Sequence, residues 1–380
     1  MSAIRRLSPA RLAQLDARLS ARVASGDYER LEWALGDSSG VLHRGATGPA
    51  SLYRIYSMTK PLVSVAALQL IEEGRLQLFH PVARYLPEFA EPMVFTAEGP
   101  RPAARPMLVH HLMTHMSGLS YGFMPDESGR MMNAANVHDD AGVPLRDDVR
   151  KIAAIPLQFE PGARWLYSVA TDVLAALIEV IEGAPLGEIL RARVTGPLGM
   201  EATSFHPGAR AAARIPPILG GANGGLISSA ELARAYPLDD PGFARGGHGL
   251  FSTLEDYAIF ARALLCGARG KGEPALLSPA TLGHATANHA AGVMPLHIEL
   301  PPGSVNPGMD GQGFGLGFAV SRPGGPLTSR PGAFGWSGAA ETWFTVDPKS
   351  DLFVVQMAQN FDWPGACFDL QNMAYGALMD

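Results

Sequence analysis

The sequence has few cysteines and few charged side chains. Cys266 and Cys367 are the only cysteines in 380 residues, too few for a disulfide framework or a four-thiolate metal site. Charged residues make up 17% of the chain, and 30 basic side chains nearly balance 36 acidic ones. Because no basic run could follow a phosphate backbone, we expect no nucleic-acid partner.

Long apolar runs are also absent. The most apolar stretches, 62–71 and 173–181, are about half the roughly 20 residues that a transmembrane helix needs, so we expect no membrane partner. The first residues contain no apolar core of a secretion signal, and we therefore expect a cytoplasmic protein. The composition, with 47% hydrophobic residues, 43 glycines and 31 prolines, predicts a well-packed protein with many loops.

Strand patterns concentrate at the two ends of the chain. Short strand-like runs occur at 28–35 and 41–46 near the start, and at 315–321, 342–346 and 352–359 near the end. We expect the two ends to share one antiparallel sheet. The predicted fold class is α/β (α+β), with helices against this sheet and a mainly helical region covering a cleft.

Helix patterns dominate the middle of the chain. The segment 59–73 is apolar around nearly its whole circumference, which is typical of a helix buried on all sides. Further helices are predicted at 171–182 and 254–266, between loops rich in proline and glycine. The predicted domains are an α/β domain formed by 1–85 and 310–380, and a mainly helical domain formed by 86–309.

Lys60 is one of only four lysines, and it follows Ser57 by three residues at the start of the buried helix. Residues three apart on a helix share a face, so the hydroxyl and the amine can touch. An amine held in a desolvated position near a helix N-terminus is pushed towards its neutral form, which can accept a proton from serine. The alternative is a capping serine beside a solvent-seeking lysine. We favour a nucleophile and its base.

A competing serine occurs in the segment 118–122, Gly-Leu-Ser-Tyr-Gly, which fits the Gly-x-Ser-x-Gly elbow of α/β-hydrolases. That elbow requires a strand before the serine and a helix after it, and neither is predicted around Ser120.

His111 and His115 have the i, i+4 spacing of zinc ligands, but Leu112 replaces the glutamate of the metalloprotease motif. We expect packing or hydrogen-bonded histidines. The glycine-rich segment 311–317 fits no nucleotide-binding pattern and is interpreted as a strand entry.

Two further segments complete a pattern: Tyr167-Ser168-Val169 before an apolar helix, and Trp336-Ser337-Gly338 before a strand hairpin. With Ser-x-x-Lys at 57–60, the sequence resembles the serine β-lactamase and penicillin-binding-protein superfamily. Within it, the sequence is most similar to the class C-like family VIII carboxylesterases, in which tryptophan or histidine replaces the lysine of the third motif. Supporting segments lie at 52–61, 111–119, 197–200 and 246–253.

The resemblance implies roles for specific residues. Ser57 would be the acylated nucleophile, Lys60 its base, and Tyr167 the group that passes the proton to the leaving group. The backbone N–H groups of Ser57 and Ala339 would form the oxyanion hole, with a glycine before Ala339 that allows close approach. Substrate-binding positions are Trp336, Ser337, Gly338 and Val169.

The departures from the β-lactamase pattern indicate the substrate. Trp336 stands where a β-lactamase has the lysine that holds the antibiotic's carboxylate, and Val169 stands where it has an asparagine. An indole N–H cannot replace a full charge, and valine cannot replace an amide. We therefore expect a carboxylesterase for small, fairly apolar esters, with a small-molecule ester as its partner.

Several alternatives share the same motifs. A β-lactamase, a D-aminopeptidase or amidase, and an acyltransferase use the same residues, and a penicillin sensor would acylate without turnover. A scaffold with an accidental serine motif is the remaining possibility. No cofactor or metal is expected, because serine acyl transfer needs only protein groups. The sequence leaves the oligomeric state open.

Overall fold

The computed structural model describes residues 6–137, 143–220, 225–227, 237–239, 242–271, 276–293 and 311–379. The first five residues and the predicted domain boundary at 309/310 lie outside these ranges. In chain order the strands are β1 Arg6–Leu7, β2 Glu32–Asp37, β3 Gly40–Ala46, β4 Tyr53–Arg54, β5 Met93–Val94, β6 Arg101–Pro102, β7 Ile218–Leu219, β8 Leu226–Ile227, β9 Phe251–Ser252, β10 Gln312–Phe314, β11 Ala319–Ser321, β12 Phe334–Ser337, β13 Trp343–Asp347, β14 Leu352–Met357 and β15 Leu378–Met379.

The central element is a seven-stranded antiparallel sheet in the order β10-β11-β12-β13-β14-β2-β3. Strand β14 near the end of the chain pairs with β2 near its start, with Phe353 opposite Gly36 and Met357 opposite Glu32. This pairing confirms that the two chain ends build one sheet. The remaining strands form two-stranded pairs, β1 with β15, β4 with β9, β5 with β6 and β7 with β8.

Helices cover both faces of the sheet. Their bounds are α1 Pro9–Ala24, α2 Thr59–Glu72, α3 Val109–Met113, α4 Glu127–Ala134, α5 Leu145–Ala153, α6 Ala170–Glu182, α7 Leu186–Leu190, α8 Gly196–Leu198, α9 Leu254–Ala268, α10 Pro279–Ala285 and α11 Ala366–Ala377. Side chains of α1 and α11 form one apolar cluster with the sheet, while α9 packs against β14 and β2. Because both faces are covered, β2 and β14 are buried along their whole lengths.

Helix α2 is the buried helix that the sequence predicts. Every residue from Thr59 to Leu68 is buried, as is Leu70. Its neighbours include α6, predicted at 171–182. A helix enclosed on nearly all sides has no amphipathic pattern, which explains why its apolar residues occupy nearly the whole circumference. The first turn of α2, which contains Lys60, is therefore held in place by packing on all sides.

The strand predictions near the C-terminal end need two corrections. The run 315–321 is not one strand, because residues 315–318 form a turn between β10 and β11. Gly317 lies there with φ of 90°, and a Cβ on it would come within 2.0 Å of the Ser64 hydroxyl on α2. The second correction is β12. The sequence predicts only that the segment around Trp336 precedes a hairpin, whereas Phe334–Ser337 is itself a strand of the sheet.

The predicted domain division stays a prediction. Helix α9 belongs to the segment 86–309 but packs on the sheet, so the sheet layer includes a helix from the middle of the chain. Within the described ranges, no helix has the length and apolar character needed to cross a bilayer.

Candidate active site

Ser57 lies in a tight 3-10 turn, Tyr56–Met58, that leads directly into α2. Tyr56 has φ of 45°, a conformation that side-chain-bearing residues rarely adopt and that neighbouring structure must hold in place. One such support is the Tyr257 hydroxyl, which donates to the Met58 carbonyl oxygen at 2.8 Å. Ser57 itself is only partly buried. A rigid backbone thus presents a serine that retains access to solvent.

Lys60 lies one turn further along α2 and is only 1% exposed. Its Nζ donates to the Ser57 Oγ at 3.2 Å, which is the contact that the helical spacing predicts. It also donates to the Tyr121 hydroxyl at 2.8 Å and to the Gly247 carbonyl oxygen at 2.6 Å. Three oxygens thus surround the amine, and the Ser57 hydroxyl can instead donate to the nitrogen when the amine is neutral.

Tyr167 approaches the same serine from the other side. Its hydroxyl donates to the Ser57 Oγ at 2.6 Å, and the Nζ of Lys60 lies 4.7 Å from the centre of its ring. Tyr167 precedes α6 by three residues, so the start of this helix fixes its position. The structure therefore brings together the hydroxyl, the amine and the phenol that the sequence selected.

Tyr121 is a member of this group that sequence reasoning missed. It is 5% exposed, its hydroxyl accepts from Lys60, and its ring centre lies 5.2 Å from that of Tyr167. The signal available in the sequence is its position beside Ser120 in the segment 118–122, whose motif points to the serine and gives the tyrosine no role. A contact 61 residues away from Lys60 leaves no local pattern in the sequence.

The end of β12 comes close to the turn that carries Ser57. A Cβ on Gly338 would lie 2.4 Å from the Ile55 carbonyl oxygen, so only glycine allows this approach. The next residue, Ala339, is exposed. The end of β12 therefore lies beside the turn that carries Ser57, and the oxyanion hole of the Ser57 and Ala339 backbone N–H groups stays a prediction.

An aromatic cluster surrounds the Tyr167 ring. Trp336, at the predicted third motif, has its ring centre 5.5 Å from that of Tyr167 and 5.3 Å from that of Phe314. In the part of the chain that the structure describes, the rings of Trp165, His115 and Tyr121 also have their centres within 6.5 Å of that of Tyr167. Among the described residues the Trp336 indole N–H has no hydrogen-bond partner, and it carries no charge. This side of the site is therefore apolar and aromatic.

The two remaining predicted substrate positions differ in exposure. Ser337 is half-buried at the end of β12, beside Gly338. Val169 has no exposed surface and packs in the core at the residue before α6, where its N–H donates to the Ser120 carbonyl oxygen at 3.1 Å. Its side chain shapes the core under Tyr167, and a direct contact with substrate stays a prediction.

The two histidines with zinc-like spacing have separate environments. His115 is 2% exposed, and its Nδ1 lies 3.2 Å from the Ser168 hydroxyl oxygen. Burial, with the nearby charge of Lys60, holds the pKa of His115 well below its usual range. The Leu108 N–H donates to the His111 Nδ1 at 3.1 Å, and burial lowers the pKa of His111 to about 4. Within the described ranges, no cluster of three or more metal-binding side chains is found.

Ser120 occupies a loop and not a strand-to-helix elbow. Helix α3 precedes it and a second helix begins at Glu127, with no strand in residues 114–126. The hydroxyl of Ser120 donates to the Asp126 Oδ2 at 2.6 Å, and the residue has no exposed surface. These contacts agree with the sequence-based preference for Ser57.

The chain is similar to named esterases over most of its length. It is 32% identical to Esterase EstB of Burkholderia gladioli over 330 residues, which cover 80% of this chain and 76% of that protein. It is 31% identical to Lovastatin esterase of Penicillium rubens over 318 residues, which cover 78% and 76% of the two chains.

Solved structures show the same fold. The structure described as EstCE1, a hydrolase with promiscuous acyltransferase activity, aligns with a TM-score of 0.79 at 22% identity, covering 97% of this chain and 99% of that one. The sequence profile described as Beta-lactamase matches residues 15–378. The chain belongs to the Beta-lactamase family of the serine β-lactamase and penicillin-binding-protein superfamily.

Proposed function

We propose that the protein is a serine hydrolase that cleaves small, fairly apolar carboxylic esters through an acyl-Ser57 intermediate. The observation that carries this proposal is the placement of the Ser57 Oγ, 2.6 Å from the Tyr167 hydroxyl and 3.2 Å from the Lys60 Nζ. Two relatives that are more than 30% identical, EstB and the Penicillium enzyme, are esterases by name. The ester substrate is the partner that we propose.

The contacts suggest a path for the proton. The Ser57 Oγ attacks the ester carbonyl carbon while its proton moves to the Lys60 and Tyr167 pair, both of which lie within hydrogen-bond distance. Tyr167 then gives a proton to the departing alcohol oxygen, and the C–O bond of the ester breaks. In the second half, water attacks the acyl carbon and loses a proton to the same pair. The pair returns this proton to the Ser57 Oγ as the acyl C–O bond breaks, which releases the acid and restores the free serine.

Charge develops on the carbonyl oxygen in both halves. We propose that the backbone N–H groups of Ser57 and Ala339 stabilise it, as the close approach of Gly338 to the Ile55 carbonyl allows. Loss of one such donor typically costs ~10² to 10³ in rate. Metal ions have no part in this scheme.

The aromatic cluster around Tyr167 favours an ester substrate over a β-lactam. Trp336 and Phe314 offer ring surfaces and one free indole N–H near Tyr167, and Val169 offers no amide. A carboxylate on a β-lactam would find no cation at Trp336. These features support our proposal that the protein belongs to the class C-like, family VIII branch. Its cytoplasmic location stays a prediction.

A kinetic comparison tests the proposal. Wild-type protein is assayed for kcat/KM on p-nitrophenyl esters of increasing acyl length and on a chromogenic cephalosporin. We expect higher kcat/KM on the short esters, with no turnover of either class by Ser57→Ala. Ser120→Ala is the matched control, since it removes a neighbouring buried hydroxyl, and it should retain ester turnover. A higher kcat/KM on the cephalosporin, or ester turnover that survives Ser57→Ala, would reject the proposal.

A further inference from the structure

The third acceptor of Lys60 is a backbone carbonyl that is itself tied to a buried carboxylate. Lys60 donates to the Gly247 carbonyl oxygen at 2.6 Å, and the N–H of Gly247 donates to the Asp172 Oδ1 at 2.9 Å. Asp172 is in the first turn of α6 and has no exposed surface. Gly247 therefore lies between the proposed base and a buried carboxylate, bonded to Lys60 through its carbonyl and to Asp172 through its N–H.

The fit of residues 246 and 247 against α6 fixes this connection. A Cβ on Gly246 would lie 2.6 Å from the Thr171 carbonyl oxygen, and one on Gly247 would lie 2.5 Å from the Asp172 Oδ2 and 3.0 Å from the Tyr121 hydroxyl. Because any side chain would push the loop off the helix, the glycines allow the Gly247 carbonyl to reach Lys60.

Asp172 is the carboxyl group that is linked to the lysine through Gly247. Among the described residues, the other titratable groups that face Lys60 are Tyr121 and Tyr167, by contact, and His115, whose ring interacts with the lysine charge. The hydrogen bond from the Gly247 N–H to Asp172 fixes the position of Gly247, and with it the direction in which the Gly247 carbonyl points. A buried carboxylate also interacts strongly with a nearby cation, because the local dielectric constant is low.

We propose that Asp172 is a positioning residue for the acyl-transfer reaction: it holds the Gly247 carbonyl on Lys60 and favours the protonated lysine that forms when Ser57 is deprotonated. The proposal rests on the proposed function, since it concerns the same proton transfer. It predicts that removal of the charge lowers kcat and changes the pH at which the site gains and loses its proton.

Asp172→Asn tests this directly, because asparagine keeps the shape and an oxygen that can accept from Gly247, but not the charge. We expect kcat on a p-nitrophenyl ester to fall about tenfold or more, with KM within about twofold. The pH profile of kcat/KM should move to lower pH, since loss of a negative charge makes the site release its proton more easily. Asp172→Ser, which retains an acceptor in a smaller side chain, should show the same shift and guards against an Asn variant that does not fold.

Asp256→Asn is the matched control. Asp256 is a buried aspartate in the first turn of α9 that accepts from the Ala202 N–H and the Thr203 hydroxyl, away from Lys60. Its substitution should leave the pH profile unchanged. A folded Asp172→Asn protein with wild-type kcat and pH profile would overturn the proposal, and so would a lower kcat with an unmoved profile. If wild-type protein hydrolyses no ester, the proposed function fails. The role of Asp172 is then tested by the pH dependence of the rate at which a fluorophosphonate labels Ser57, which should move to lower pH in Asp172→Asn.

Discussion

Two serines in this chain lie in short motifs that are associated with hydrolases, yet their surroundings differ completely. Ser57 is partly exposed, and its hydroxyl contacts the Lys60 amine and the Tyr167 phenol. Ser120 has no exposed surface, and its hydroxyl donates to Asp126. One hydroxyl contacts the amine and the phenol that we propose move its proton, whereas the other contributes to the packing of a loop.

The difference shows that the surroundings of a serine decide what a short motif means. A serine at neutral pH is a weak nucleophile unless an adjacent group can take its proton. The Asp126 carboxylate accepts a hydrogen bond from the Ser120 hydroxyl. It also caps α4 by accepting one from the Gly129 N–H at 2.7 Å. The carboxylate is thus part of a helix cap and not of an open site.

The largest expected effect is that of Ser57→Ala. Removal of the nucleophile should lower kcat on a p-nitrophenyl ester by about 10³-fold or more, because no other group can form the acyl intermediate. Steady-state kinetics on the purified variant measures this. Activity close to that of wild type would place the reacting group elsewhere and would erase the contrast between the two serines.

Tyr167→Phe should have the next largest effect. The ring remains in the aromatic cluster, but the hydroxyl that lies 2.6 Å from the Ser57 Oγ is lost. We expect kcat to fall by about 10²-fold, in the range usual for a proton-transfer residue, with a smaller change in KM. A variant that loses only substrate affinity would show that Tyr167 binds substrate without moving a proton.

Tyr121→Phe should have a smaller effect, although Tyr121 is the neighbour of Ser120. Its hydroxyl contacts Lys60 and belongs to the Ser57 region. Loss of one acceptor of the buried lysine should lower kcat by about tenfold and cost about 1 to 3 kcal/mol of unfolding free energy. If its kcat equals that of wild type, Tyr121 belongs with Ser120 as a packing residue.

The segment before Ser120 should make stability sensitive to acid. Burial lowers the pKa of His111 to about 4, from about 6.5 in an unfolded chain, so the stabilisation is complete above pH 6.5 and is lost as the pH falls towards 4. At pH 5 the expected loss is about 2 kcal/mol. Urea unfolding of wild type and His111→Gln at pH 7.5 and 5 measures it. An equal loss in both proteins would assign the acid sensitivity to other groups.

Ser120→Ala should have the smallest effect. The Asp126 carboxylate loses one donor, which should cost about 1 kcal/mol of unfolding free energy, while kcat/KM should stay within about twofold of wild type. Thermal unfolding and ester kinetics on one preparation give both values. A large loss of activity without a loss of stability would give Ser120 a role in the reaction.

Local patterns in the sequence predict the parts of the site that depend on local structure. The apolar circumference of α2 and the three-residue spacing of Ser57 and Lys60 come from one continuous helix, so the sequence contains both. The sheet formed by both chain ends also follows from strand patterns. The role of Tyr167 was accessible only through the family resemblance, since its contact with Ser57 spans 110 residues.

The remaining features depend on contacts that leave no local signal. Tyr121, the Gly247 carbonyl and Asp172 meet Lys60 or each other across long stretches of chain, and a backbone carbonyl is the same in every residue type. The division of residues 315–321 into a strand and a turn depends on the contact of Gly317 with α2. Such features require tertiary packing, which a pattern of residue types does not specify.

The central claim is that Ser57 carries the acyl group, and identification of the modified residue tests it most directly. Wild-type protein is incubated with a fluorophosphonate and, separately, with a slowly hydrolysed ester, and the adduct is located by intact-mass and peptide mass spectrometry. We predict a single adduct on the peptide that contains Ser57, and none after Ser57→Ala. An adduct on Ser120, or no adduct on a folded protein that hydrolyses esters, would contradict the account.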